Sequence, residues 1–191
     1  MLFADEAIFT SNDTITKWVQ REPNTDYLPQ NTIDYRRHPI QSNGWLCFAH
    51  NGTGTLYTFM ETLNAQYMKS ILSACLLESA DRLFHLPAAW HLLHDNSRNH
   101  TAPIVRRWLF DHGISILDFP PYSPDLNPVE NLIAEVKSRV RYHVVANEQE
   151  LQDAVHEEWQ KTDVRYLQKL VHSMPRRCAA VIKAKGFMTK Y

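Results

Sequence analysis

Near Asn64 the spacing of apolar residues along this chain changes from two to roughly 3.6, from the period of a strand to that of a helix. Before that point, "MLFADEAIFT" (1–10) is apolar and strand-like, with Asp5 and Glu6 in its middle. "TITKWVQ" (14–20) alternates and predicts a second strand. Residues 21–43 are polar, carry Pro23, Pro29 and Pro39, and predict an extended or looped segment. "GWLCFAH" (44–50) predicts a third strand, "NGTG" (51–54) a turn, and "TLYTFM" a segment that pairs back or crosses over.

From there Leu63, Tyr67, Met68, Ile71, Leu72, Cys75 and Leu76 recur at helical spacing and predict a helix ending near residues 80–84. "AAWHLLHDN" (88–96) predicts a buried strand with a polar end. "TAPIVRRWLFDHG" (101–113) predicts a helix capped by Thr101 and stopped by Gly113. "ISILDF" (114–119) predicts another strand, and helices are expected at about 128–143, 148–161 and 163–184, the last interrupted by Pro175. The order β-β-β-α-β-α-β-α, followed by more helix, describes a mixed α/β sheet. Trp45, Trp90, Trp108 and Trp159 fall in apolar patterns and are expected in the core.

Composition adds limits. With 191 residues, 44% hydrophobic and 21% charged, the chain can bury a substantial core. No apolar run approaches the roughly 18–20 residues of a membrane span, and the N-terminus does not read as a signal peptide. Cys47, Cys75 and Cys178 are scattered and odd in number, which reads as free thiols of a reducing compartment. The net charge of −1 hides an asymmetry. Residues 1–130 carry 9 Lys and Arg against 14 Asp and Glu, while residues 131–191 carry 11 against 7. A basic flank beside an acidic body suits an enzyme that touches phosphate; solvated helix faces give the same counts.

Three acids stand out by position. Asp5 lies in the first strand, Asp95 ends "WHLLHD", and Glu130 falls in the first turn of the helix after "SPDLNP". Carboxylates gathered where strands end and helices begin repel one another unless cations sit between them, and Mg²⁺ or Mn²⁺ are the natural partners. Each acid also has a plain structural role open to it. Asp5 with Glu6 can be an exposed edge pair, Asp95-Asn96 can start a turn, and Glu130 can close a capping box with Asn127 as N-cap and Pro128 at the first helical position. His85, His91 and His94 cluster in sequence but fit no common zinc frame.

Taken together, "FADEAIF", "WLCFAHNGTGTLYTFMETLNAQYMKSIL", "HDNSRNHTA", "LDFPPYSPDLNPVENL" and "SMPRRCAAVIKAKGFMTKY" resemble, nearly end to end, the catalytic domain of mariner-superfamily (Tc-one/mariner-like) DDE transposases. Their order, with 34 residues between Asp95 and Glu130, is more specific than any single stretch. The resemblance implies a ribonuclease H-like fold, a mixed five-stranded sheet flanked by helices with extra C-terminal helices, as a single catalytic domain over residues 1–191. It implies that Asp5, Asp95 and Glu130 form the catalytic, metal-binding triad for two Mg²⁺ ions, with Mn²⁺ able to substitute. Asn96 and His100 flank the second acid, and Asn127 and Asn131 the third, as supporting candidates. Arg98, Arg106, Arg107, Lys137, Arg139 and Arg141 are candidates for phosphate contact, and Arg176 and Arg177 either contact DNA or cap a helix.

The implied partners are double-stranded DNA, both transposon ends and target, and a second subunit when DNA-bound, with no membrane and no small-molecule cofactor. The implied location is the nucleus. The family's N-terminal helix-turn-helix region is expected to be absent, since the first catalytic strand begins the chain. Three departures from the family pattern touch packing and DNA contact: Asn43-Gly44 within the third strand, Ser97-Arg98 where Ala-Pro is common, and Ile133 where tryptophan is common. Two other functions remain open at this point: a domesticated, non-catalytic DNA- or protein-binding module, and a ribonuclease acting on RNA–DNA hybrid.

Overall fold

Leu2–Thr10 (β1) buries side chains on both of its faces, a burial that only the middle of a sheet provides. A computed structural model describes residues 1–11, 22–25, 28, 39–84, 90–121 and 123–191. In it β1 is the central strand of five, in the order β3-β2-β1-β4-β5. β2 (Gln41–Ala49) and β3 (Gly52–Phe59) form an antiparallel meander with β1. β4 (His91–Leu93) and β5 (Ser115–Ile116) add on parallel to it. The mixed α/β architecture expected from the sequence is present; the strand expected at 14–20 lies outside the described residues.

Helices cover both faces. Against one lie α1 (Ala65–Phe84) and α3 (Pro103–Asp111), packed on Leu2, Ala4, Trp45, Cys47 and Leu92. Against the other lie α4 (Val129–Val140), α5 (Glu148–Gln160) and α6 (Val164–His172), packed on Phe3, Phe9, Leu46, Phe48 and Leu93. Strand period alone assigns these partners: odd positions of β1 point one way and even positions the other. In α4 the buried set Val129, Leu132, Ile133, Val136 and Val140 is a single helical stripe. Each such side chain contributes about 1.5–3 kcal/mol of burial. Trp45 and Trp159 are deeply buried and Trp108 nearly so, as expected of core residues, whereas Trp90 is partly buried and stacks on Phe84. Among the described residues no helix is long and apolar enough to cross a membrane.

Several boundaries differ from the sequence expectations for local reasons. The turn after β2 is tighter than "NGTG": it closes at His50-Asn51, and Gly52 and Gly54 belong to β3. Thr101 does not cap α3. It ends a one-turn helix, α2 (Arg98–Thr101), whose N-cap is Ser97, because Pro103 forces Ala102 into an extended conformation (φ −59°, ψ 140°) that breaks the helix. Gly113 does end α3, at φ +65°. The segment 114–119 keeps only two ladder residues, exposed at the sheet edge, although the Leu117 N–H still donates to the Leu92 carbonyl at 2.8 Å. The helical stretch at 163–184 is interrupted, as expected near Pro175, into α6 and α7 (Met174–Lys183), parted at Ser173.

Gly54 sits where β3 crosses α1. A Cβ there would collide with Cys47 Sγ, lie 2.9 Å from the Cys47 carbonyl oxygen and lie 3.1 Å from Ser79 Oγ. Its own carbonyl accepts the Trp159 indole N–H at 3.0 Å. Gly54→Ala is expected to destabilise the protein by about 1–3 kcal/mol, read as a lower urea midpoint at unchanged slope.

Candidate active site

Asp5 and Glu6 are neighbours in sequence but face opposite sides of the sheet, since successive side chains of a strand alternate. Their partners across the β1–β2 ladder, Leu46 and Trp45, belong to the two different core clusters. Asp5 therefore points toward α4, and Glu6 toward α2. The pair is not an exposed edge: Asp5 is 7% exposed on the central strand.

The loop before α4 reaches Asp5 through one hydrogen bond. Asn127 Nδ2 donates to Asp5 Oδ2 at 2.9 Å, while Asn127 Oδ1 accepts from the Val129 N–H at 3.4 Å, which fixes the amide's orientation. Asp5 Oδ1 accepts the Glu6 N–H at 2.8 Å. The capping box expected at Glu130 does not form, because the Asn127 N–H is taken by the Pro124 carbonyl at 2.9 Å. A 3₁₀ turn, Pro124–Leu126, makes that bond and delivers the chain into α4, with Glu130 in its first turn.

Asp95 follows β4. Its Oδ1 accepts the Ser97 N–H at 2.9 Å, the turn-starting bond that its sequence position allowed, and also lies 2.7 Å from His100 Nδ1. The other His100 nitrogen, Nε2, makes an ion pair with Glu6 Oε1 at 2.6 Å. A buried imidazole thus bridges Asp95 and Glu6. His94, also buried, packs against His100 at a tilt of 58° with ring centroids 4.3 Å apart, and its Nδ1 lies 2.7 Å from the Asp95 carbonyl oxygen.

Asp5, Asp95 and Glu130 come together on one open cleft of about 390 Å³, lined also by Asn96, Ser97, Arg98, Phe119, Ser123 and Asn127. The three carboxyls titrate differently. Burial, then the nearby Glu130 charge, pushes Asp5 up to about 7. The hydrogen bond from His100 holds Asp95 down at about 2. Burial raises Glu130, Lys137 works against the rise, and Asp95 adds to it. Burial alone would lower His100, but its bonds to Asp95 and Glu6 dominate and raise it to about 10. Burial and the adjacent His100 charge bring His94 down to about 4. The cleft therefore holds one fully ionised acid and two that resist ionising next to it. Such a donor set fits a hard divalent cation, which removes the mutual repulsion and is bound best by oxygen ligands.

His94, Asp95 and His100 also bring ligand atoms within 4.8 Å of one another. Both His100 nitrogens are engaged by carboxylates and the ring is held protonated, so this trio does not offer the neutral imidazoles that zinc requires. His91 is exposed and lies 2.8 Å from Ser115 Oγ; His85 lies outside the described residues.

The remaining candidates separate. Asn96 Nδ2 donates to the Phe119 carbonyl at 2.6 Å and ties the two walls of the cleft together. Asn131 does not approach the acids; its Oδ1 accepts from Arg177 Nη2 at 2.6 Å. Arg98 lines the acidic cleft, whereas Arg106 lines a neighbouring cavity beside His94 and Phe110. Arg107 pairs with Asp111 and Arg139 with Glu135 on helix surfaces. Lys137 lies 6.0 Å from the Phe9 ring centroid, and Arg141 is exposed just past α4. Arg177 is 3% exposed, so it is not a surface contact for DNA; Arg176 is exposed. Sequence reasoning missed Glu6 as the partner of His100, and it missed the role of Arg177. No local pattern joins Glu6 to a residue 94 positions away.

Known proteins resemble this chain in sequence and in fold. The family described as "DDE superfamily endonuclease" matches residues 1–152. The Tcb1 transposable-element transposase of Caenorhabditis briggsae is 30% identical over 196 residues, covering 100% of this chain and 70% of that protein. The crystal structure of the Mos1 mariner paired-end complex with Mn superposes with a TM-score of 0.85 at 20% identity, covering 99% of this chain and 56% of that one. The Mos1 transposase catalytic domain with Raltegravir and Mg superposes with a TM-score of 0.75 at 18% identity, covering 99% and 85%. The chain thus spans little more than half of the Mos1 chain in the paired-end complex.

The opposed shifts of Asp5 and His94 give a measurable signature in the metal-free protein. Asp5, raised to about 7, makes the folded state the better proton binder, so its contribution to stability falls as pH rises from about 4 to 7. His94, lowered to about 4, makes the unfolded chain the better binder, so its contribution rises between about pH 4 and 6.5. The stability carried by His100 is full below about pH 6.5 and is lost as pH climbs toward about 10, above most of this window. Asp5→Asn removes only the falling slope. Its unfolding free energy should gain on the wild type by about 3–4 kcal/mol between pH 4 and 7, at ~1.4 kcal/mol per pH unit, in urea titrations with chelator present. A difference that stays constant with pH would mean that Asp5 ionises freely.

Proposed function

This chain belongs to the DDE superfamily endonuclease family, among the Tc1/mariner transposases, and from that premise we propose that it cuts transposon DNA and joins the cut strand to a new site. The observation that carries the reading is the meeting of Asp5, Asp95 and Glu130 on one cleft, where Asp5 is buried against like charge. Mg²⁺, or Mn²⁺ in its place, would be held by these three carboxylates, two ions in all, and would supply Lewis acidity at the phosphate oxygens and a more acidic water.

The chain's own groups prepare that site. His100, kept cationic by Glu6, fixes Asp95 in an ionised form that needs no further deprotonation. Asn127 orients Asp5 from the loop that also carries Glu130. Arg98 lies on the cleft wall, where a guanidinium meets a phosphate oxygen as the backbone of a duplex lies across the cleft. In the first reaction water adds to phosphorus and the P–O bond to the departing strand breaks, leaving one 5′-phosphate and one 3′-hydroxyl. In the second that 3′-hydroxyl adds to a phosphorus of the target and displaces another 3′-oxygen, so the number of phosphodiester bonds is conserved. Neither reaction needs a covalent link to protein or a small-molecule cofactor.

The substrates are double-stranded transposon ends and target DNA. Two ends must be held together for the second reaction, so the working unit is a homodimer on DNA, and the nucleus is where it meets its substrate. The paired-end Mos1 complexes support this reading by likeness of fold. The catalytic reading is supported over a non-catalytic one by the three carboxylates meeting on one cleft, and the DNA reading over RNA–DNA hybrid by likeness to transposases.

The test is nicking of supercoiled plasmid in Mn²⁺ by the wild type beside Asp95→Asn and Glu130→Gln. The wild type is expected to nick, and each variant to lose at least about a hundredfold in rate. Equal nicking by all three, abolished by repurification, would assign the activity to a contaminant and remove the proposal. Added salt should weaken binding of a duplex steeply, through release of counterions from phosphate.

A further inference from the structure

Residues 153–191 lie beyond the stretch matched by the family, yet they reach back to the loop that carries Glu130. The contact centres on Arg177, in the first turn of α7 and 3% exposed. Its donors go to three separate segments. Nε donates to Ser173 Oγ at 2.7 Å, Nη1 to the Asp125 carbonyl at 2.9 Å, and Nη2 to Asn131 Oδ1 at 2.6 Å. The chain's last residues close over it. The Tyr191 ring lies 4.9 Å from the guanidinium, and Thr189 Oγ1 donates to Asp125 Oδ2 at 2.9 Å.

A buried guanidinium is costly unless its donors are satisfied, and its planar fork dictates where acceptors must stand. Here the acceptors bracket the active loop. Asp125 belongs to the 3₁₀ turn and Asn131 to the first turn of α4; between them lie Asn127, which holds Asp5, and Glu130, which faces the cleft. Glu130 itself lacks the capping-box bond that would fix it locally. Its placement is therefore left to the rigidity of the segment that Arg177 grips.

We propose that Arg177 is a positioning residue for the active site: together with Thr189 and Tyr191 it clamps the segment 125–131 and so sets Glu130 for cation binding. This rests on the reading of the cleft as a divalent-metal site. Arg177, Thr189 and Tyr191 are not among the cleft's lining residues, and the clamp's hydrogen bonds to the loop end on Asp125 and Asn131.

The experiment compares wild type, Arg177→Met and Thr189→Val in the full chain by Mn²⁺ calorimetry and by hydrogen exchange at Asn127–Asn131. Arg177→Met is expected to weaken Mn²⁺ binding at least tenfold and to speed exchange at those amides, with α1 amides unchanged. In a Glu130→Gln background the same substitution should change Mn²⁺ affinity less than twofold, since its effect passes through Glu130. A cooperatively folded Arg177→Met protein with wild-type affinity and exchange would overturn the proposal, as would an undiminished effect in the Glu130→Gln background. Both are what a purely structural arginine would give. Should Arg177→Met fail to fold, Thr189→Val takes its place: a threefold or greater loss of affinity with faster exchange supports the clamp, and wild-type values overturn it. Should wild type bind no Mn²⁺, the metal-site reading fails by itself, and the clamp stands or falls on exchange at Asn127–Asn131 alone.

Discussion

The site depends on holding the charge of Asp5 inside a sheet without its own counter-ion. Water is excluded from that position, Glu130 adds like charge, and the carboxyl is pushed up to about 7. A fold built only for stability would place an apolar residue on the middle strand. Here the neighbouring structure supplies partial compensation, through the Glu6 N–H and the Asn127 amide, and leaves the rest unmet. That unmet electrostatic demand is what a divalent cation satisfies, so the strain of the metal-free cleft and its affinity for metal have one origin.

The two faces of the sheet divide the work around that demand. On one, α4 brings Asn127 and Glu130 to Asp5 while its apolar stripe fills the core with α5 and α6. On the other, α2 brings His100 to Asp95, and Glu6 reaches the same imidazole from β1. The outcome is a graded set of acids: Asp95 ionised because His100 donates to it, Asp5 and Glu130 reluctant chiefly because they are buried, with the charge of a neighbouring acid adding to the effect. The cationic His100 also closes the His94–Asp95–His100 trio to zinc, so the same side chain tunes one metal site and excludes another. Arg177 plays a comparable part at the loop, as a buried cation held by neutral acceptors in place of carboxylates.

Much of the fold was legible in the chain because its signals are local. The apolar run of β1, the helical stripe of α1, the glycine stop at Gly113 and the proline-rich entry to α4 each carry their meaning within a few residues. Expectations failed where two local rules competed. Thr101 looked like a cap, but Pro103 constrains Ala102 and hands the capping to Ser97. Glu130 looked like the end of a capping box, but a 3₁₀ turn had already used the Asn127 N–H. Of the supporting residues, His100 contacts Asp95 and Asn127 contacts Asp5, whereas Asn96 bonds the Phe119 carbonyl and Asn131 turns away to Arg177.

The sequence by itself determined which residue types stand in or at the ends of which elements: an aspartate within the first strand, an aspartate at the end of a later strand, a glutamate in the first turn of a helix. These follow from periodicity and from backbone limits on proline and glycine, which act over a few residues and need no knowledge of the fold. Only the tertiary structure decided what each charge faces. The proton affinity of Asp5, the Glu6–His100–Asp95 bridge and the Arg177 clamp arise from burial and from contacts that mostly join residues far apart in the chain, 122 positions for Asn127 and Asp5 and 46 for Arg177 and Asn131, whereas Asp95 and His100 are only 5 apart. Electrostatic energies depend on distance through the folded molecule and on how much water is excluded between charges, and neither quantity exists until the chain has folded.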